Sequence, residues 1–518
     1  MQLPLELPKR VEWAAAALTA ILLILSFPNF ELSFLAWIAL VPLLLVIARY
    51  PAPLSAFLLG WAAGTVFFYG SCYWLTYSMI HYGGLPTVVA YLLLIPGAMV
   101  VGFFPGVFAL LLALAVRKWG QLAVLLAPVF WPATEWIRLI VTGQLWNALG
   151  YSQAYHPALI QPANWGGVYA VSFLIVAINA TIAICFTPRR TTAYGLPGLI
   201  VIIVPLIIWL SPRSSDPTEF QVESPLTVVA LQPNVPMNLV KSDAEMKELL
   251  ERHWAMSTNA LQSLPNDNTP RFVIWPESPM NFTYASDLTF QQQLATFTRN
   301  NHASLLFNSL EPTLANGFYN SALLVNDQGR MIAQYDKIRL MPFGEYVPLP
   351  QWLPGASLIT GLVGDFTPGD KYTLMPVGEH HAGTFICIES AYPYIARHLT
   401  SEGADVLINI SNDGYLGPTA VMRQHLANVV FRAVENGRPV LRVTNTGLTA
   451  KIDSAGKIED VTTPFQPQVR VWKVRPASFG TTFYTRYGDV FVYVCVAITV
   501  LVFVAVLVNS RRSFRQAR

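Results

Sequence analysis

Long apolar runs dominate the first 210 residues of the chain and return near its end. A helix that crosses a bilayer needs roughly 20 mostly apolar residues. Seven runs of about this length come first, and an eighth follows much later. They cover residues 11–28, 33–49, 54–80, 88–116, 121–141, 167–186, 194–210 and 491–508. The pattern predicts eight transmembrane helices.

The stretch between the seventh and eighth runs, 211–490, has ordinary globular composition. Short apolar strands alternate there with segments of helical period, which is typical of layered α/β packing. The predicted strands are 225–234, 271–278, 303–310, 320–327, 381–386, 404–413, 440–446 and 449–454, and the predicted helices are 243–263, 287–300, 391–401 and 419–437. We therefore expect three parts: helices one to seven in 1–210, an α/β domain in 211–490, and a last helix with a basic tail in 491–518.

Positive charge flanks alternate ends of the apolar runs. The loops 28–32, 81–87 and 142–166 contain no Lys or Arg, whereas the other short loops and both termini carry them. Cytoplasmic loops are enriched in Lys and Arg. Both termini are therefore predicted to be cytoplasmic, and 211–490 to lie on the periplasmic or extracellular face. Within the fifth run, Glu135 and Arg138 stand one turn apart, and we expect them either to pair with each other or to serve a function.

Composition agrees with a membrane protein and excludes one class of partner. Of the 518 residues, 53% are hydrophobic and only 12% are charged, about half the usual soluble share. The net charge is +3, with basic residues scattered or beside apolar runs, so we expect no nucleic-acid partner. Three of the four cysteines lie in long apolar runs, which leaves Cys387 without an obvious disulfide partner.

Three short segments carry reactive groups at strand ends or in loops. Glu277 follows one predicted strand, Lys337 and Glu345 lie close together in the chain, and Cys387 ends another strand just before Glu389. A thiol needs a base to become a nucleophile, and its tetrahedral adduct needs positive charge against the oxyanion. Each residue alone also fits a plain role: a buried thiol, a solvated lysine or a surface acid. Spacing alone does not bring them together.

Four motifs strengthen the chemical interpretation. WPES at 275–278, YDKIRLMPFGEYVP at 335–348, ICIES at 386–390 and NISNDGYLG at 409–417 resemble the carbon–nitrogen hydrolase (nitrilase) superfamily. The chain is similar over nearly its whole length to one membrane-bound branch, the bacterial apolipoprotein N-acyltransferases. This wider similarity includes SFPNF at 26–30, GGLP at 83–86, TEWIR at 134–138, GYSQ at 150–153, RQHLANVVFRAVENGRP at 423–439 and TNTGLTAKIDSAG at 444–456.

The resemblance implies a fold and a set of roles. The fold would be eight transmembrane helices plus an α-β-β-α sandwich between the seventh and eighth, facing the periplasm from the bacterial inner membrane. Glu277 would be the general base, Lys337 the oxyanion stabiliser and Cys387 the nucleophile. Glu345 and Glu389 would support them. No cofactor or metal is implied.

Three further residues complete the expected site. Asn412, in the fourth motif, is taken as a supporting residue. Ile388 departs from the family pattern, which commonly has an aromatic residue after the nucleophile. Trp352 lies in the apolar, Pro-rich segment 341–363, which we expect to form a lid that dips into the outer leaflet. The alternative for that segment is a loop packed on its own domain.

The implied reaction is acyl transfer in two steps. A phospholipid, phosphatidylethanolamine-like, would acylate Cys387, and the amino group of a diacylglyceryl apolipoprotein would then take the acyl chain. One alternative is a membrane-anchored amidase or nitrilase-type hydrolase, with water as acceptor. A second is a non-catalytic lipoprotein-binding or transport scaffold, against which the complete set of Glu277, Lys337 and Cys387 argues.

Overall fold

The structure is a computed structural model, and it describes residues 7–187, 203, 207, 210, 225–237, 241–265, 267, 269–314, 317–342, 344–346, 366–477 and 480–516. The described chain forms two compact units. The residues of the helical unit fall within Met1–Arg213, Thr419–Ala427 and Tyr487–Arg518, and those of the α/β unit within Ser214–Pro418 and Asn428–Arg486.

The helical unit contains most of the predicted apolar runs. In the described part of the chain, its α-helices are Arg10–Ser26, Val41–Arg49, Pro53–Ser71, Leu75–His81, Thr87–Trp119, Ala127–Thr142, Pro157–Ile160, Ala163–Cys185 and Val490–Gln516. Among the described residues, five helical stretches are long and apolar enough to span a bilayer: Pro53–Ser71, Thr87–Trp119, Gln121–Thr142, Ala163–Cys185 and Val490–Val508.

The count of eight spans is not confirmed, because some runs are not single long helices. The second run is a 3-10 turn, Ser33–Trp37, followed by the nine-residue helix Val41–Arg49. The third run breaks at Cys72 into two helices. Most of the seventh run, 194–210, lies outside the described residues. Apolar composition alone did not reveal these breaks.

Two of the long helices approach each other closely through small residues. Pro53–Ser71 carries Gly60 and Gly64, and Thr87–Trp119 carries Gly102 and Gly106 at the same spacing of four. A Cβ on Gly102 would collide with the backbone nitrogen of Thr65. Glycine is therefore required there, and the backbones pack at the distance that small residues permit in membranes.

Among the described residues, Glu135 and Arg138 act on each other through their charges but form no direct salt bridge. An Oε1 atom of Glu135 accepts hydrogen bonds from Trp131 Nε1 at 2.9 Å and from the Leu149 backbone N–H at 2.7 Å. Arg138 donates to the Trp146 carbonyl at 2.7 Å. Both side chains are buried, so these bonds compensate part of the cost of placing ionisable groups there.

The helical unit also holds a segment from the middle of the later chain. Helix Val421–Asn436 begins in this unit, where the Gln424 amide makes four hydrogen bonds. Its oxygen accepts from the indoles of Trp74 at 3.0 Å and Trp146 at 2.9 Å, and its nitrogen donates to the carbonyls of Pro28 and Ser71, both at 2.9 Å. Every polar atom of this buried amide is thereby satisfied.

The α/β unit is built on two six-stranded sheets. The strands are β1 Leu226–Gln232, β2 Arg271–Ile274, β3 Ala303–Pro312, β4 Phe318–Val325, β5 Met331–Asp336, β6 Leu374–Val377, β7 His380–Ile386, β8 Val406–Ser411, β9 Val440–Thr444, β10 Ala450–Ile452, β11 Ile458–Glu459 and β12 Gln468–Val474. The first sheet has the order β12-β1-β2-β3-β4-β5, and the second β11-β10-β9-β8-β7-β6. The described helices of the α/β unit are Asp243–Gln262, Leu288–Asn301, Pro393–Ser401, the later part of Val421–Asn436, and Phe483–Tyr487.

The two sheets face each other across an apolar core. In β1, Val228 and Ala230 belong to this core, whereas Val229 and Leu231 belong to a second cluster that includes residues of the helices Asp243–Gln262 and Leu288–Asn301. Strands buried on both faces read as continuous apolar runs. The predicted layered α/β organisation is confirmed. Strands β5, β6, β11 and β12 were not predicted.

Parallel pairing brings the chemistry to one edge of each sheet. Strands β1, β2 and β3 run parallel in the first sheet, and β7, β8 and β9 run parallel in the second. Glu277 comes three residues after β2, Cys387 directly after β7, and Asn412 directly after β8. Loops at the carboxyl ends of parallel strands are the usual place for functional side chains.

Candidate active site

Cys387 occupies a strained backbone position at the end of β7. Its φ is +52°, in the left-handed region, and it begins a short 3-10 turn that runs to Ala391. For a residue with a side chain this conformation costs about 1–2 kcal/mol, so the surrounding contacts must hold it. The turn lifts the thiol out of the strand, and the residue remains partly exposed.

Glu389 provides those contacts. One of its oxygens accepts from the Ile386 N–H at 2.6 Å, and the other accepts from the N–H groups of Ile338 at 2.7 Å and Arg339 at 3.0 Å. The Tyr335 hydroxyl lies 2.9 Å from both oxygens. The carboxyl of Glu389 therefore joins the turn that carries the thiol to the segment that carries Lys337.

Lys337 is a buried cation between two carboxyl groups. Its Nζ lies 2.9 Å from Glu345 and 3.5 Å from Glu277, and the side chain is 1% exposed. Burial by itself lowers the pKa of a lysine, but the carboxylates of Glu277 and Glu345 offset this, so that the pKa of Lys337 lies above its ordinary value. The ammonium is charged at every physiological pH.

Glu277 is held from two sides. Its Oε1 accepts from Asn320 Nδ2 at 2.9 Å as well as facing Lys337, and its Oε2 accepts from the Asn412 backbone N–H at 3.2 Å. Asn320 also donates to Glu345 at 2.7 Å, so one amide nitrogen bridges both acids. Sequence reasoning missed Asn320. A polar residue in the middle of the apolar strand β4 was the available signal.

The Cys387 thiol is neutral at rest. Burial raises its pKa, Glu277 raises it further, and Lys337 opposes both. The net result is a pKa well above the ordinary value for a thiol. A nucleophilic sulfur at neutral pH therefore needs a base in contact range, and Glu277 is the carboxyl whose charge acts on it most strongly.

The structure places the remaining predicted residues as follows. Glu345 accepts from the Met341 N–H at 2.7 Å in addition to its bond with Lys337. Asn412 reaches Glu277 through its backbone, while its side-chain oxygen accepts from Gly414 N–H at 3.2 Å. Ile388 is buried in the 3-10 turn. Trp352 and most of the segment 341–363 lie outside the described residues. No group of His, Cys, Asp or Glu suited to a metal occurs in the described part of the chain.

The raised pKa of Glu389 should make the free energy of unfolding depend on pH. Burial raises this pKa from 4.5 to about 7, although its N–H donors and Tyr335 oppose the shift. The folded state then binds more protons than the unfolded state between these values. The free energy of unfolding should fall by about 3 kcal/mol as pH rises from about 4.5 to about 7. Chemical unfolding in detergent across this range, compared with Glu389→Gln, measures the difference.

Glu251→Gln is the control for this experiment, because that carboxyl is on an exposed helix face. It should keep the pH dependence of the unmodified protein. An identical pH dependence in Glu389→Gln and the unmodified protein would contradict the assignment.

Two family models match this chain. The model described as "Apolipoprotein N-acyltransferase N-terminal domain" matches residues 19–181, and "Carbon-nitrogen hydrolase" matches residues 240–478. Among curated proteins, an "Apolipoprotein N-acyltransferase" of Geobacter metallireducens is 33% identical over 500 residues, which is 95% of this chain and 94% of that protein. One of the same name from Allorhizobium ampelinum is 30% identical over 78% of this chain and 77% of its own length.

Solved structures similar to part of the chain include one yeast protein and one bacterial protein. Nit3 of Saccharomyces cerevisiae, described as a member of branch 10 of the nitrilase superfamily, is 17% identical with a TM-score of 0.38, covering 49% of this chain and 91% of its own. A carbon-nitrogen hydrolase of Helicobacter pylori G27 is 16% identical with a TM-score of 0.38, covering 48% and 89%.

Proposed function

The chain belongs to the apolipoprotein N-acyltransferase family, and on this premise we propose that it transfers a fatty acyl chain from a membrane phospholipid to the α-amino group of the diacylglyceryl-cysteine of apolipoproteins. The transfer passes through an acyl-thioester on Cys387. The donor is a phosphatidylethanolamine-like phospholipid. No nucleic acid and no cofactor take part.

The first step acylates the enzyme. Glu277 accepts the proton of the Cys387 thiol, and the sulfur attacks the ester carbonyl carbon of the phospholipid. The carbonyl oxygen becomes an oxyanion, which the charged ammonium of Lys337 stabilises. The C–O bond to the glycerol breaks, the oxygen takes the proton from Glu277, and lysophospholipid leaves.

The second step transfers the acyl chain. The amine of the apolipoprotein attacks the thioester carbonyl, and Glu277 takes a proton from the nitrogen. The C–S bond breaks to give the N-acylated product, and the departing sulfur takes the proton from Glu277, which restores the neutral thiol. Amines attack thioesters much faster than oxygen esters, so a thiol is a suitable carrier between an ester and an amine. Glu345 and Glu389 act as supports: the first holds Lys337, and the second holds the turn on which Cys387 lies.

The single observation that carries the proposal is the ion cluster beside a neutral thiol. A carboxylate that can take a proton and a buried ammonium that can meet an oxyanion both act on Cys387. These are the two groups that acyl transfer at a thiol requires.

The location of the enzyme follows from the charges in the loops. We place it in the bacterial inner membrane with both termini in the cytoplasm and the α/β domain, 211–490, in the periplasm. Residues 1–210 and 491–518 form its membrane anchor. The extensive apolar anchor favours a lipid donor over the small amides of a soluble hydrolase.

Mass spectrometry of the intact protein tests the proposal. The protein purified from membranes, incubated with phosphatidylethanolamine vesicles, should gain the mass of one fatty acyl group. Hydroxylamine should remove it, and Cys387→Ala should not acquire it. Addition of a diacylglyceryl-cysteine peptide should discharge the adduct onto the peptide amine. Discharge to free fatty acid alone would identify a hydrolase, and no adduct with any phospholipid would overturn the thioester.

A further inference from the structure

Ser411 lies beside Cys387 across the second sheet. Strands β7 and β8 pair in parallel with Ile386 opposite Ile410, so the next residue of each strand, Cys387 and Ser411, are neighbours where the pairing ends. Ser411 is completely buried, and its side chain lowers the pKa of the Cys387 thiol. The pairing of β7 with β8 therefore places the Ser411 hydroxyl near the Cys387 sulfur.

The same hydroxyl has a second partner. Ser411 Oγ lies 3.2 Å from Asp413 Oδ1, while Asp413 Oδ2 accepts from Arg442 Nη2 at 2.7 Å. Asp413 and Arg442 are both buried. Arg442 also donates to Asn409, whose amide lies 3.4 Å from the Cys387 carbonyl oxygen. The guanidinium fixes the carboxylate, and the carboxylate in turn presents an acceptor to the hydroxyl.

The Ser411 hydroxyl has one proton to donate and two candidate acceptors, the Asp413 carboxylate and the Cys387 sulfur. The sulfur becomes the stronger acceptor when it loses its proton. A neutral thiol is a weak acceptor, so at rest the proton of Ser411 is directed to the carboxylate of Asp413. A thiolate is a charged acceptor, and hydrogen bonds to charged groups are about twice as strong as neutral ones. Rotation about the Cβ–Oγ bond is enough to exchange the two, with no bond made or broken.

We propose that Ser411 is a positioning residue for the nucleophile, whose hydroxyl turns from Asp413 to the Cys387 sulfur whenever the sulfur carries negative charge. This inference rests on the proposed function and deepens it. The charge appears twice in the reaction, when the thiol loses its proton and when the sulfur leaves the thioester. Ser411 thus acts on both the attack and the departure of the sulfur.

The charges that face the sulfur come from several elements. Glu277 after β2 and Asp413 after β8 oppose a thiolate, and Lys337 after β5 favours it. Ser411 adds a neutral donor to these charges. Removing its hydroxyl should therefore raise the pH at which the thiolate forms, and removing the charge of Asp413 should lower it.

The experiment measures alkylation of Cys387 by iodoacetamide across pH in the full-length protein, with peptide mass mapping to separate this site from Cys72, Cys185 and Cys495. Ser411→Ala should move the midpoint upward by about one pH unit, which is a tenfold loss of thiolate at a fixed pH below the midpoint. Ser411→Thr keeps the hydroxyl and should restore it. Ser390→Ala is the matched control, because that buried hydroxyl has no hydrogen-bond partner in the described structure.

Asp413→Asn supplies a change of opposite sign. The amide oxygen can still accept from Arg442, and the amide nitrogen then donates to Ser411 Oγ, which leaves the hydroxyl proton for the sulfur. The midpoint should fall by about one unit. An unchanged or lowered midpoint in Ser411→Ala, or an unchanged or raised one in Asp413→Asn, overturns the inference, and the second arm decides if the first variant does not fold. Alkylation needs no substrate, so a failure of acyl transfer leaves this result readable by itself.

Discussion

Glu277→Gln should make Cys387 easier to alkylate and harder to acylate. The carboxylate of Glu277 raises the pKa of the thiol, so its removal lowers that pKa and increases the thiolate at neutral pH. The same change removes the proposed general base, and a general base typically contributes 10²–10⁴-fold to a reaction rate. Iodoacetamide labelling at pH 7 should therefore speed up, while the acyl-thioester forms about 10²–10⁴-fold more slowly. Intact-mass time courses measure the second rate and peptide mapping the first.

Faster alkylation combined with slower acylation distinguishes this result from misfolding of the site. The substituted amide keeps one oxygen for Asn320 and Lys337, and its nitrogen faces the Asn412 N–H, which costs about one hydrogen bond. A misfolded site would slow both reactions. Glu251→Gln, on an exposed helix face, should leave both rates as they are. Faster alkylation together with an unchanged rate of acylation would show that Glu277 is not the base.

Lys337→Met should abolish acyl transfer and destabilise the α/β unit. The cation is 1% exposed and holds Glu277 and Glu345 in place. Its loss leaves two carboxylates joined only through Asn320, and removing one partner of a buried ionic group costs about 3–5 kcal/mol. The oxyanion also loses the positive charge that stabilises it, which by itself slows the reaction about 10²–10³-fold. No acyl adduct should accumulate.

Thermal unfolding and intact-mass measurement on the same sample check both parts of this prediction. Lys247→Met is the control, since Lys247 makes only a surface pair with Glu251 at 3.9 Å. Lowering the pH should recover part of the stability of Lys337→Met, because protonation of one carboxyl removes the repulsion. Adduct formation within tenfold of the unmodified protein would exclude Lys337 as the oxyanion cation.

The elements that sequence predicted best are those with one strong physical signal. Buried parallel strands such as β8 are continuous apolar runs, and the acid, the cation and the thiol stand in motifs of recognisable order. Strand β5, MIAQYD, gives no such signal, because its polar residues face partners that appear only after folding. Tyr335 is in that strand, and its role in holding Glu389 depends on a contact across 54 residues.

The helical part shows a different limit. Hydropathy is averaged over a window of residues, so it detects the length of an apolar run. It does not detect an interruption of the helix inside that run, such as the one at Cys72. Asn320 illustrates the same point at the site. Its side chain is meaningful only beside Glu277 and Glu345, which are 43 and 25 residues away in the chain. Local patterns predict elements, whereas a bridging amide belongs to the assembled structure.

The contacts of the Gln424 amide affect where the chain can be cut to produce the α/β part as a separate protein. The α/β unit is not one insertion that begins and ends at two junctions, because residues 419–427 return to the helical unit in between. An excised fragment 211–490 would carry a glutamine without its two indole donors and two carbonyl acceptors. Gene fusions or soluble versions of the α/β part must therefore redesign the start of helix Val421–Asn436. Chimaeras between relatives must exchange it together with the turns that hold Trp74 and Trp146.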